Sequence, residues 1–188
     1  MKKFLAFILS IICVAGIFTA CTTANNTSSA GDDQTPNPIV EFDSAKELAA
    51  ETKLNVQLPD SVSDISYSAI MGGEDEPIAQ ADFLYGEKQC TYRMQYAKEM
   101  TDISGVYQEY DKTEEIEITE TSADSASTDG ADATTSNTTE STQKCTLKYT
   151  EGEYGIALWY DENTSITYCV SMDNCTAQEL KDLVTALV

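Results

Sequence analysis

Seven residues, Cys90-Thr-Tyr92-Arg-Met94-Gln-Tyr96, alternate apolar and polar without a break. Side chains of an extended chain point to opposite faces in turn, so this stretch is a half-buried strand and not a helix. The stretch before it, Ala79-Gln-Ala81-Asp-Phe83-Leu-Tyr85, has the same period and is joined to it by Gly86-Glu87-Lys88, which predicts a hairpin. A chain committed to such a hairpin needs further strands to pair its edges and helices or loops to cover its faces.

The flanking segments supply both. Ser44-Ala-Lys-Glu47 has the form of a capping box, and Ala45, Leu48, Ala49 and Thr52 share one helical face, predicting a helix over about 44–53. Leu54-Asn-Val56-Gln-Leu58 alternates and is read as a short strand ended by Pro59-Asp60. Val62 to Met71 is a strand, and 72–77 a turn. The stretch 97–112 is a loop leading to a strand at about Glu114 to Thr119. Cys145 to Tyr149, Ile156 to Tyr160 and Ser165 to Ser171 are strands, and Thr176-Ala-Gln-Glu179 caps a closing helix with Leu180, Leu183, Val184 and Leu187 inward. The expectation is an α+β domain over 39–188, with an antiparallel sheet of about six to seven strands in up-and-down order, an N-terminal helix and a C-terminal helix.

Ahead of this domain, Lys2 and Lys3 precede an apolar run from Phe4 to Phe18 in which only Ser10 is polar, and Thr19-Ala20-Cys21 follows. That order is a secretory signal with a lipoprotein processing site. The run is short of the roughly 20 residues a permanent span needs. Residues 1–20 are therefore read as a signal peptide, and Cys21 as the lipid attachment site, where two acyl chains suffice for stable anchoring. A plain secreted protein is the alternative. The expected location is the extracytoplasmic face of the cell membrane. From Cys21 to Pro38 the chain is polar and turn-forming and is expected to be a disordered tether, about 55 Å long at ~3.3 Å per residue when extended. A second such segment, 121–142, has 12 Ser or Thr among 22 residues and is read as a disordered insertion between strands.

Composition narrows the chemistry. The net charge of −21 argues against nucleic acid as a partner, since phosphates are bound by Lys and Arg in number. The sequence has no histidine, which removes Ser-His-Asp and Cys-His nucleophile arrangements and histidine-based zinc sites. Carboxylate chemistry, lysine chemistry or binding without chemistry remains. Glu74-Asp75-Glu76 and the stretch 124–132 invite a calcium reading but lack the ligand spacing of a calcium loop, so no metal and no cofactor is expected.

Cys90, Cys145, Cys169 and Cys175 are an even set in a chain expected outside the cell. In an up-and-down order Cys169 and Cys175 are the most reachable pair, and four buried free thiols are the alternative. In Ile156-Ala-Leu-Trp-Tyr160 both faces are apolar, so each needs a cover. Either two helices cover one face and a loop the other, or one face is a concave surface on which Trp159 and Tyr160 meet a ligand.

Several short motifs carry a resemblance. The opening helix leading into Val56-Gln-Leu58-Pro59, the loop Asp102-Ile-Ser-Gly105, Ala157-Leu-Trp159 and the Thr-capped final helix resemble an uncharacterised family of exported bacterial lipoproteins and extracytoplasmic regions of anti-sigma factors, chiefly Gram-positive. The resemblance spans 39–188 apart from the Ser/Thr insertion. It implies a curved antiparallel sheet and an envelope role, with no catalytic residue to carry over. The expected function is a non-enzymatic binding or sensing module, with an envelope protein, peptide or glycan as partner. The alternative is a carboxylate-dependent envelope hydrolase.

Overall fold

The computed structural model describes residues 39–72, 76–122 and 139–188. Residues 1–38, on which the expected signal peptide, lipid-attachment site and tether fall, residues 73–75 and the middle of the Ser/Thr segment, 123–138, lie outside the described residues. The chain divides between Thr35 and Pro36 into two units, and every described residue belongs to the second.

Local signals place both helices where the capping residues put them. In α1 (Ala45–Thr52) the Ser44 hydroxyl accepts from the Glu47 amide. The Glu47 carboxylate reaches back one residue too far for a complete box and takes the Asp43 amide at 3.2 Å. In α2 (Ala177–Leu187) both halves of the box are present: Thr176 Oγ1 accepts from the Glu179 amide, and Glu179 Oε2 accepts from the Thr176 amide at 2.8 Å. Glu179 also takes Lys88 Nζ at 2.6 Å, which ties the helix to the sheet.

That Lys88 bond, with the Thr176 bonds, lowers the Glu179 carboxyl from its usual value to about 2. A carboxyl whose folded value is depressed contributes stability above its unfolded value and loses it as pH falls toward the folded one. Urea midpoints are therefore expected to fall between pH 4.5 and about 2 more steeply for the parent than for Glu179→Gln. Parallel curves for the two proteins would remove Glu179 from the acid transition.

Among the described residues eight strands form one antiparallel sheet: β1 (Ile39–Phe42), β2 (Val62–Ile70), β3 (Ile78–Tyr85), β4 (Lys88–Tyr96), β5 (Lys112–Ser122), β6 (Thr139–Thr150), β7 (Tyr154–Asp161) and β8 (Ile166–Asp173). Their order across the sheet is β1-β2-β3-β4-β8-β7-β6-β5. The hairpin read from alternation is β3–β4, with Tyr85 opposite Lys88 and Gly86, φ +66°, at the first turn position, where a two-residue hairpin of type II′ needs a positive φ.

Three expectations are corrected. Leu54 to Leu58 is no strand: Leu54 and Val56 are buried and Leu58 half-buried, but the edge of β2 is taken by β1, so the alternation records which side chains reach the core and not a ladder. The ends of the segment 121–142 are strand, since the β5–β6 ladder continues to Ser122 opposite Thr139. The order is also not up-and-down throughout, because β4 pairs with β8 and β5 lies at the far edge. Antiparallel pairing at each step from β4 through β8, β7 and β6 leaves β5 parallel to β4. A parallel return needs a crossover along the length of the sheet, of a dozen residues or more. Residues 97–111 make that crossover.

The crossover decides how the two faces are covered. Leu48 of α1 and Leu180, Leu183 and Val184 of α2 share one core with Phe83, Tyr92, Leu147, Ala157 and Trp159. On the opposite face Ile156, Leu158 and Cys169 form a second, smaller core, closed by Ile103 of the crossover with Tyr110 packed against it.

Candidate functional site

The crossover is fixed from below by the only arginine in the sequence. Arg93 points out of β4 on the side away from the helices, and its Nη1 donates to the carbonyls of Ile103 (3.0 Å) and Ser104 (2.5 Å). Its Nε donates to Gln80 Oε1 at 2.8 Å. Gln80 Nε2 in turn donates to Asp82 Oδ2, and Thr91 Oγ1 to Asp82 Oδ1. A planar guanidinium with several fixed donors suits this task, where an ammonium would act as a point charge.

The loop is shaped to meet it. Asp102 Oδ1 accepts from the Ser104 amide, and Ser104 Oγ from the Val106 amide, two local side-chain turns. Gly105 has φ +67°, and a Cβ there would stand 2.6 Å from Arg93 Nη1. Both the backbone conformation and the close approach call for glycine. Lys148 Nζ lies 3.4 Å from Asp102 Oδ2. Burial pushes the Asp102 carboxyl up, but the Ser104 bonds and Lys148 outweigh it and hold the group below its usual range. At the ends, the Ala97 amide donates to Ser165 O, Tyr160 Oη to Ala97 O at 3.2 Å, and the Asp111 amide to Thr150 Oγ1.

Two clefts flank the first arm of the crossover. One, of about 620 Å³, is lined by Glu76, Gln95, Tyr96, Lys98, Glu99 and Ser165 among others. The second, of about 460 Å³, is lined by residues that include Met100, Lys144, Tyr160, Glu162 and Asn163. Both fall in the size range of small-ligand sites, and both have mixed polar walls. Gln95, buried at the first cleft, is held by its Nε2 bond to Glu76 O at 2.7 Å.

The candidate residues from the sequence fare differently. Tyr160 does line a cleft. Trp159 does not face a ligand: its side chain is 0 % exposed on the helix-covered face, stacked on Tyr168 at 5.2 Å and Tyr92 at 6.1 Å between centroids. The helices and the crossover together cover both faces of β7, so no open aromatic surface remains there. Cys169 and Cys175 are not paired. All four thiols of the domain are free and buried. Cys169 lies opposite Leu158 and Arg93 on the crossover face. Cys175 follows Asn174, φ +51°, which turns the chain to the helix side, and its sulfur lies over Gly155 in the core that Leu180 shares. Burial raises the thiols of Cys90, Cys145 and Cys169 to about 12.

Cys21 and residues 74, 75 and 124–132 lie outside the described residues. Among the described residues no three His, Cys, Asp or Glu side chains converge as a metal site would require. The displaced carboxyls, Asp102 and Glu179, are both lowered, the opposite of what a proton donor at neutral pH needs. Sequence reasoning missed Arg93, Gln80 and Lys148. The one signal available was a lone arginine on the polar side of a strand, which says nothing of what it reaches. No protein-family model matches the chain, and no curated protein or solved structure matches it.

Proposed function

We propose that the chain is a lipid-anchored module on the outer face of the cell membrane that binds a hydrophilic partner, a peptide or glycan segment, without catalysing a reaction. Anchoring rests on the leader and Cys21. Binding rests on one observation, the two clefts of mixed polar and apolar lining that border residues 97–101. The resemblance of the Asp102-Ile-Ser-Gly105 loop to envelope lipoproteins points the same way, since that loop belongs to the crossover that borders both clefts.

A photo-cross-linker placed in turn at Lys98, Lys144 and the exposed Glu51 of α1 tests both parts in intact cells. The anchored protein is expected to give one adduct from the two cleft positions and none from position 51. Adducts from all three positions alike, or from none, would count against binding in the clefts. The same protein carrying Cys21→Ser is expected to leave the membrane fraction or stay at precursor size. Membrane-bound Cys21→Ser at mature size would end the anchor reading.

A further inference from the structure

We infer that residues 97–111 are a lid, latched by Arg93, that lifts from the β7–β8 face while the sheet and the helix-covered core stay folded. The lid holds by a different kind of bond from the rest of the domain. Each sheet strand is bonded along a ladder, whereas the described fastenings of 97–111 to the sheet are single contacts. These are Arg93 to two carbonyls, Lys148 to Asp102, Tyr160 to Ala97, Thr167 Oγ1 to Glu99 O at 3.5 Å, Asp111 to Thr150, and one backbone bond, Ala97 to Ser165.

Its apolar footprint is also small. Ile103 rests on Ile156, Leu158 and Cys169, and Tyr110 stacks on Tyr154 of β7 at 6.4 Å between centroids, against more than twenty buried side chains on the helix side. A segment with few buried apolar contacts opens at lower free energy than the whole domain. The first arm also has room beside it, since Lys98 to Asp102 are exposed and Ala97 to Thr101 border the two clefts.

Arg93 is the latch because it grips the centre of the lid at two adjacent carbonyls, and because Gly105 lets the lid come down onto it. It acts as a positioning residue. Opening would bare Ile156, Leu158 and Cys169. This inference does not depend on whether the clefts take a ligand.

Cys169 is a built-in reporter, because it lies under the lid while Cys90 and Cys145 lie in the helix-covered core. The processed, reduced chain is treated with N-ethylmaleimide under native conditions, and each thiol is followed by peptide mass. Cys169 is expected to react about 10-fold or more faster than Cys90 and Cys145, since it needs only local opening. Arg93→Ala is expected to speed Cys169 by a further factor of about 10 with Cys90 and Cys145 unchanged. Gly105→Ala, which leaves Arg93 in place but wedges it away, is expected to act in the same direction and serves if Arg93→Ala does not fold. Reaction of Cys169, Cys90 and Cys145 at one common rate in the parent overturns the lid. Equal acceleration of all three in the variants overturns the latch.

Discussion

Trp159→Ala is expected to destabilise the domain by about 3–5 kcal/mol, the range for deleting a large aromatic side chain from a packed core. The indole has no exposed surface and stacks on Tyr168 and Tyr92, in the core that both helices share with the sheet. Such a loss is a large part of the roughly 5–15 kcal/mol total stability of an ordinary domain, so the variant is expected to unfold at a much lower denaturant concentration than the parent. The indole Nε1 is buried and has no hydrogen-bond partner among the described residues. Trp159→Phe therefore gives up volume but no bond, and is expected to cost far less, about 1.5 kcal/mol or below. Denaturant midpoints by circular dichroism separate the two. If Phe costs as much as Ala, the indole nitrogen is bonded and the packing account fails. If Ala costs under about 1 kcal/mol, Trp159 is not the centre of the core.

Gly155→Ala is the second large effect, and it comes from too little room rather than too much. A Cβ on Gly155 would meet Cys175 Sγ at 2.9 Å, Leu180 Cδ2 at 3.0 Å and Tyr149 Cβ at 3.2 Å. Overpacking of this kind costs about 1–3 kcal/mol. The alanine also restricts the unfolded chain, which returns about 0.4–1 kcal/mol, so the net remains a loss. The first clash is with a sulfur, which makes the cause testable. In Gly155→Ala/Cys175→Ala that sulfur is gone, and the pair is expected to be more stable than the sum of the single effects. Strict additivity would show that the glycine is kept for some reason other than α2 lying close above it.

Helices and strands were legible where one residue and its near neighbours settle the outcome. Ser44 and Thr176 marked the helix starts because a cap is a bond made within one turn. Ala79, Ala81, Phe83, Cys90, Tyr92 and Met94 marked a hairpin because its two strands are joined by a two-residue turn. The same signal misled at Leu54, Val56 and Leu58, which are extended and inward-pointing yet unpaired, since alternation reports burial and is silent about a partner strand.

The site was much less legible. Arg93 and Ser104 are close in sequence, but their bond exists because the chain leaves β4, crosses β8, β7 and β6, and enters the sheet again at its far edge. The apolar double face of Ile156 to Tyr160 did state correctly that two covers were needed. Which face took the helices and which took the loop could not be read from it, so the alternative of Trp159 on a ligand surface stayed open, whereas its ring is fully buried.

By itself the sequence determined the class of the domain, its two capped helices, its central hairpin and the histidine-free chemistry open to it, because these depend on composition and on residues at most a few positions apart. The tertiary structure alone decided that β4 pairs with β8, that 97–111 is a crossover held by Arg93, that clefts stand beside it, and that Cys169 and Cys175 lie on opposite faces. Those outcomes turn on which strand edge finds which partner. That choice is made by the burial of the whole sheet at once, and no local run of residues encodes it.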